Sequence, residues 1–188
     1  MLALHRRGAE GGGVMATALW IGVVPYDAHA KRWLDDVGKH YLQNAPPGAL
    51  FAIGVRSAEP GLCGETIGTG PLLGLCVVGR PIAPRLPQNG SVGEITRMVL
   101  VPGLPHGTAS QVIGGAITLA AARGLSTLIA YHDRTRHTGC IYRKAGFRRD
   151  GGTRATAGLW GSRPGRKSAA YAPAAKRRWR FDLVARPA

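Results

Sequence analysis

Cysteine is scarce in this chain: Cys63, Cys76 and Cys140 are its three, and none stands in C-x-x-C spacing. That pattern provides neither a disulfide framework nor a zinc knuckle, and it suits a reducing compartment. Long apolar runs are missing as well. None reaches the length needed to cross a bilayer, so no membrane role is expected. The first fourteen residues carry no continuous hydrophobic core and no cleavage-like site, so no signal peptide is predicted. Residues 1–15, with Gly11-Gly12-Gly13 and a second Met at position 15, are expected to be a disordered leader or to lie upstream of the true start. A cytoplasmic place in a bacterial host cell is the resulting expectation.

Acidic residues are the other shortage. Ten Asp and Glu face 25 Lys and Arg, for a formal net charge of +15, which favours a polyanionic partner, DNA first. The imbalance is local. Residues 1–130 hold ten bases against seven acids, whereas residues 131–188 hold fifteen against three. Length and apolar content suit a single domain over residues 16–188, with a basic C-terminal segment from about residue 148.

The richest stretch is Ser126–Phe147. Thr127–Tyr131 reads as a buried strand. His132-Asp133-Arg134-Thr135-Arg136-His137 follows as a polar loop. After Gly139, Ile141, Tyr142 and Ala145 fall at helical spacing, and Gly146 stops the helix. Upstream, Gly93–Val101 reads as a strand, Gly103–Ser110 as a loop, and Gln111–Arg123 as an Ala-rich helix stopped at Gly124. Strand, loop, helix, strand is a βαβ unit, and hence an α/β fold. Its loop, with His106, Gly107, Thr108, Ala109 and Ser110, delivers backbone N–H groups to a helix N-terminus suited to an anion such as a pyrophosphate. Ser110 is read as the N-cap of that helix.

Earlier elements are plainer. Trp20–Val24 reads as a strand, and Asp27 as the N-cap of a helix over Ala28–Val37 with Ala30, Trp33, Leu34 and Val37 on one stripe. Ala49–Val55 and Leu72–Val78 read as neighbouring antiparallel strands. Near the end, Lys176-Arg177-Arg178-Trp179-Arg180-Phe181 interleaves cations with aromatics. Trp179–Val184 can complete the sheet, which makes Trp179 and Phe181 core residues and leaves the arginines as phosphate contacts.

Several residue types here can do acid–base work. Tyr142 can protonate a leaving group or pack its ring on the sheet. Asp133, at a strand end, can be a general base or turn a loop. Glu94, if buried, would carry a raised pKa and could accept a proton from an attacking amine. Glu94 and Arg97, at odd separation on one strand, are expected on opposite faces. His132 or His137 with Asp133 could hold a metal, though their spacing matches no metal signature. His40-Tyr41 reads locally as a helix end.

In their order, His40-Tyr41, Glu94-Ile95-Thr96-Arg97, Ser110 and Tyr131-x-Asp133…Gly139-x-Ile141-Tyr142 resemble the GNAT acyltransferase superfamily. Within it they are most similar to the phage Mom-type DNA-modification proteins, over roughly Ala30–Phe147. The resemblance implies a mixed, splayed central sheet flanked by helices. It also implies an acetyl-CoA or other acyl-CoA donor held at His106–Ser110, and a site built from Tyr142, Asp133, Glu94, His40 and Tyr41. Iron is implied by the resemblance alone. The superfamily's usual Gln/Arg-x-x-Gly-x-Gly/Ala signature is replaced by His106-Gly107-Thr108-Ala109-Ser110, which leaves the donor open. The implied reaction modifies a nucleobase amine in phage or mobile-element DNA, a protection against restriction. Arg163, Arg166, Lys167, Lys176, Arg177, Arg178 and Arg180 are then expected to hold the DNA. Two other functions fit the same pattern: N-acetylation of a small-molecule or protein amine, and non-catalytic DNA binding on the same scaffold.

Overall fold

The computed structural model describes residues 18–36, 45–60, 66–154 and 174–183. The leader, His40, Tyr41, Cys63, Arg163, Arg166 and Lys167 lie outside these residues. In chain order the elements are β1 (Leu19–Val24), α1 (Ala28–Asp36), β2 (Phe51–Ser57), β3 (Glu59–Pro60), β4 (Thr66–Ile67), β5 (Leu72–Gly79) and β6 (Val92–Leu100). Then come α2 (Thr108–Ala122), β7 (Thr127–Asp133), α3 (Cys140–Lys144), β8 (Arg148–Thr153) and β9 (Lys176–Asp182). Strands β3 and β4 form a small ribbon of their own. The other seven make one sheet in the order β1-β2-β5-β6-β7-β9-β8. All its pairings are antiparallel except β6 with β7, which α2 joins by a crossover.

Each face of the sheet has its own apolar layer. On one, α2 and α3 lay Val112, Ile113, Ala116, Ala120 and Tyr142 over Ile53, Cys76, Val78, Ile95, Leu128 and Ala130. On the other, α1 contributes Ala30 and Leu34 against Val24, Ala52, Leu75 and Val77. The Ala30 N–H donates to Asp27 Oδ1 at 2.9 Å, so Asp27 caps α1 as its sequence position suggests. Among the described residues no helix is long and apolar enough to cross a membrane.

Four expectations need correction. Helix α2 begins at Thr108, three residues before Gln111, because Gly107 takes a left-handed φ of 93° and acts as N-cap. Thr108 reinforces the turn by donating its hydroxyl to Pro105 O at 2.7 Å. Ser110 therefore sits inside the first turn and is not the cap. Strand β7 runs on through His132 and Asp133, since β9 pairs with it from Thr127↔Asp182 to Asp133↔Lys176. Strand β9 starts at Lys176, ahead of Trp179, and the polar segment Arg148–Thr153 is itself a strand along the outer edge of β9.

The fourth correction shapes the site. Val77 pairs with Arg97 while Val78 pairs with Ile95, so Thr96 is an extra residue in β6. This bulge resets the alternation of side chains. Glu94, opposite Gly79, and Arg97, opposite Val77, consequently share a face. Thr96 anchors the bulge by donating its hydroxyl to Val77 O at 3.2 Å.

Candidate active site

Pairing of β6 with β7 begins at Val92↔Thr127 and ends at Ile95↔Ala130, immediately before the bulge. Beyond that point β6 continues to Leu100 and β7 to Asp133 without pairing, so the two strands part at their C-terminal ends. A bulge bends and twists its strand, which accounts for the parting. The gap is a cleft of about 160 Å³. Ile95, Thr96, Arg97 and Met98 line one wall, Tyr131 and His132 the other, and the segment from His137 to Tyr142 closes the third side.

Aromatic packing positions that third side. Tyr142 is 6% exposed. Its ring stacks on His132 with centroids 6.5 Å apart, lies 6.1 Å from Trp179, and meets Phe147 edge-on at 5.7 Å. Trp179 in turn donates its indole N–H to His132 Nδ1 at 2.6 Å. His132 is thus a buried acceptor, and burial holds its pKa below the usual imidazole value, with Arg177 adding to the effect. Gly139, at φ 73°, brings the backbone against this cluster at the start of α3.

Asp133, next to His132 on the strand, projects to the opposite face. It is fully buried, and its Oδ1 accepts the Thr135 N–H at 2.8 Å and the Thr135 hydroxyl at 2.6 Å. Arg136 Nε lies 3.6 Å from Oδ2. The carboxylate braces the loop and is not among the residues lining the cleft. His132 with its Nδ1 occupied and Asp133 on the other face do not converge on a cation. Among the described residues no three His, Cys, Asp or Glu side chains come together to hold a metal.

Glu94 precedes the bulge on β6 and, like Asp133, is not among the residues lining the cleft; it is 5% exposed and accepts the Ile82 N–H at 2.9 Å. Burial raises its pKa, and the Ile82 bond and the charges of Lys176 and Arg97 only partly oppose this. Lys176, half-buried, has its own pKa held down by burial, with Glu94 pulling it up. A raised pKa makes the ionised form of this carboxyl a stronger base than an ordinary carboxylate.

His106–Ser110 do not line this cleft. They form the turn after β6 and the first turn of α2, where the N–H groups of Ala109 and Ser110 have no carbonyl one turn earlier to bond. Two cleft residues carry little signal in the sequence. Cys140 is exposed, and its thiol pKa is lowered chiefly by the Thr138 hydroxyl. Arg97, otherwise only part of a motif, reaches the cleft because the bulge turns it there.

Residues 22–161 match the Mom protein family. The chain belongs to this family. Three solved structures similar to this Mom-family chain carry the name acetyltransferase. The IAA acetyltransferase from Bacillus cereus ATCC 14579 aligns with a TM-score of 0.56 at 14% identity, covering 88% of this chain and 100% of that one. A Bacillus subtilis acetyltransferase in complex with CoA gives 0.53 at 16%, covering 89% and 100%. A GNAT family acetyltransferase from Elizabethkingia anophelis with acetyl-CoA bound gives 0.54 at 13%, covering 88% and 98%. These likenesses establish that the Mom-family chain has the GNAT fold, with its mixed, splayed sheet. Among curated proteins none matches it.

Proposed function

We propose that this protein is a GNAT-fold transferase that modifies an amine of a nucleobase in DNA. Membership of the Mom family and the charge of +15 support DNA as the substrate. The observation that carries the chemistry is Tyr142, held by its ring cluster on the wall of the cleft where β6 and β7 part.

An acyl-CoA fits the groups present. The first-turn amides of α2 and the positive end of its dipole suit a pyrophosphate. A Cβ placed on Gly107 would meet nothing within 4 Å, so that approach is open. When bound, the coenzyme supplies an acyl group on a thioester sulfur. With such a donor in place, the base amine would form the new C–N bond as the C–S bond breaks and would give up a proton. Tyr142, which lines the cleft, would donate its hydroxyl proton to the departing sulfur, and Glu94, on β6 but not among the lining residues, would take the amine's proton by way of solvent. Exchange with solvent restores both groups. A base stacked in a duplex cannot enter so small a cleft, so it must be everted first. Iron finds no ligand set among the described residues.

Mass spectrometry of nucleosides from DNA co-expressed with the protein tests the proposal. A mass-shifted nucleoside is expected with the parental protein. Tyr142→Phe keeps the ring and removes one hydroxyl, and its rate should fall by about 10²–10⁴-fold, the usual contribution of a general acid. Unmodified DNA beside an acylated small amine would favour the second reading, an ordinary N-acetyltransferase, to which the named activities of the solved neighbours point.

A further inference from the structure

The arginines expected to touch DNA are not equivalent in the fold. Arg178 pairs with Asp150 at 3.1 Å and also donates to its carbonyl. Arg180 pairs with Asp182 at 2.6 Å, and Arg148 with the same carboxylate at 2.7 Å. These three share two carboxylates, Asp150 and Asp182, within the protein. Among the described residues, Arg134, Arg149 and Arg177 make no ion pair.

Those three come from separate elements to one place. Arg177 lies opposite His132 on β7 and opposite Gly152 on β8. Arg149 lies opposite Trp179, two residues along β9 from Arg177 and so on the same face. Its guanidinium sits over the Trp179 ring, 5.9 Å from the centroid. Arg134 follows β7 and is drawn to the start of β9 by its N–H, which donates to Ala175 O at 3.2 Å. Arg134 and Arg149 are exposed and Arg177 half-exposed.

We propose that Arg134, Arg149 and Arg177 form a phosphate-binding site that grips the DNA backbone beside the cleft. The proposal rests on the reading of DNA as substrate and specifies where DNA is held. The mutual repulsion of the three charges lowers the Arg177 pKa, with Arg149 the main cause and Arg134 a further one. An anion placed among them relieves that repulsion. The position selects the backbone over the coenzyme. Strand order puts the turn leading into α2 on one side of β7 and β9 with β8 on the other, so the two anion sites flank the cleft. His132 links the cluster to the catalytic wall, since it lines the cleft and lies opposite Arg177. A nucleotide whose phosphate rests on the cluster has its base within reach of that wall.

The test measures fluorescence anisotropy of a labelled duplex oligonucleotide over a salt series, with coenzyme A binding followed by calorimetry. Removing one phosphate-binding cation flattens the slope of log affinity against log salt by about 0.9. Arg134→Ala with Arg149→Ala and Arg177→Ala should flatten it by about 2–3. Arg32→Ala with Arg80→Ala and Arg85→Ala removes the same charge from exposed sites elsewhere and should flatten it far less. Arg134→Lys with Arg149→Lys and Arg177→Lys should keep the slope, and coenzyme A affinity should not change. If the Ala triple does not fold, Arg134→Gln with Arg149→Gln and Arg177→Gln, which keeps the side-chain stems, takes its place. Equal flattening in cluster and control triples overturns the site. So does a fall in coenzyme A affinity with the DNA slope intact. Cluster-dependent binding without any modified nucleoside leaves the site standing and removes the transferase reading. Parental modification and parental slope in the triple variant do the reverse.

Discussion

Gly139 is the residue on which the cleft's packing can be tested most directly. A Cβ there would lie 2.5 Å from His132 Cε1, 2.8 Å from His132 Nδ1 and 2.7 Å from Trp179 Cζ2. Neither ring can swing aside cheaply, because the Trp179–His132 hydrogen bond fixes both. Gly139→Ala also forces an L-residue to a φ of 73°. The left-handed backbone costs about 1–2 kcal/mol and the overpacking about 1–3 kcal/mol more. Gly107→Ala is the internal control. It has a φ of 93° but open space around the new Cβ, so only the backbone cost applies. The gain from restricting the unfolded chain is common to both and cancels. The difference between the variants is the clash, about 1–3 kcal/mol. For a chain of this length each kcal/mol moves the melting temperature by about 2–4 °C. Gly139→Ala should therefore melt about 2–12 °C below Gly107→Ala in calorimetry, with a changed near-ultraviolet circular dichroism from the displaced indole. Equal melting temperatures would falsify the packing of Gly139 against the two rings.

Glu94→Gln should grow more stable relative to the parent as pH rises. A carboxyl whose folded pKa is raised favours the fold below its unfolded value near 4.5 and loses that contribution as pH climbs through the folded value. Gln cannot ionise and still accepts the Ile82 N–H, so melting curves from about pH 4 to 8 should diverge in its favour; parallel curves would mean that Glu94 is well solvated. His132 works in the opposite sense. Its folded pKa is lowered, so stability present above the ordinary imidazole value of 6.5 should be lost as pH falls below it, which melting across about pH 5–7.5 will show. Trp179→Phe removes the donor to His132 Nδ1 and should cost about 1–3 kcal/mol in denaturant unfolding. NMR titration should show the freed imidazole protonating at higher pH than in the parent, and an unchanged titration would mean that the hydrogen bond is absent.

The βαβ unit is legible in the sequence because its apolar runs are long and separated by glycine-bearing loops. Tyr142 is legible as well, since helical spacing after Gly139 and the stop at Gly146 fix where its helix lies. The bulge is not. An extra residue in a strand leaves no mark on the residue types, so simple alternation puts Glu94 and Arg97 on opposite faces. Strand β8, Arg148-Arg149-Asp150-Gly151-Gly152-Thr153, has no apolar alternation and is a strand only because β9 offers it an edge. The start of α2 is ambiguous because Ser110 and Thr108 are both cap-like, and only the left-handed Gly107 decides between them. Composition likewise marks the C-terminal arginines as one group, whereas Asp150 and Asp182 divide them into paired and unpaired sets.

Strand β9 enters the sheet between β7 and β8, although both precede it in the chain. During synthesis, everything through β8 emerges before the strand that must lie between its neighbours. Until Lys176–Asp182 arrive, β7 presents an open edge and β8 has no partner in the sheet. Open edges invite pairing with other chains. Closing the loop from His132 to Arg177 is also among the slower kinds of folding event, because the entropy of bringing distant residues together is given up before they touch. The wall of the cleft that holds His132 and Tyr142 is therefore completed late, by Trp179. A nascent chain stopped short of residue 176 would have the turn into α2 but an unfinished wall of the cleft, which couples completion of the cleft to translation of the ninth strand.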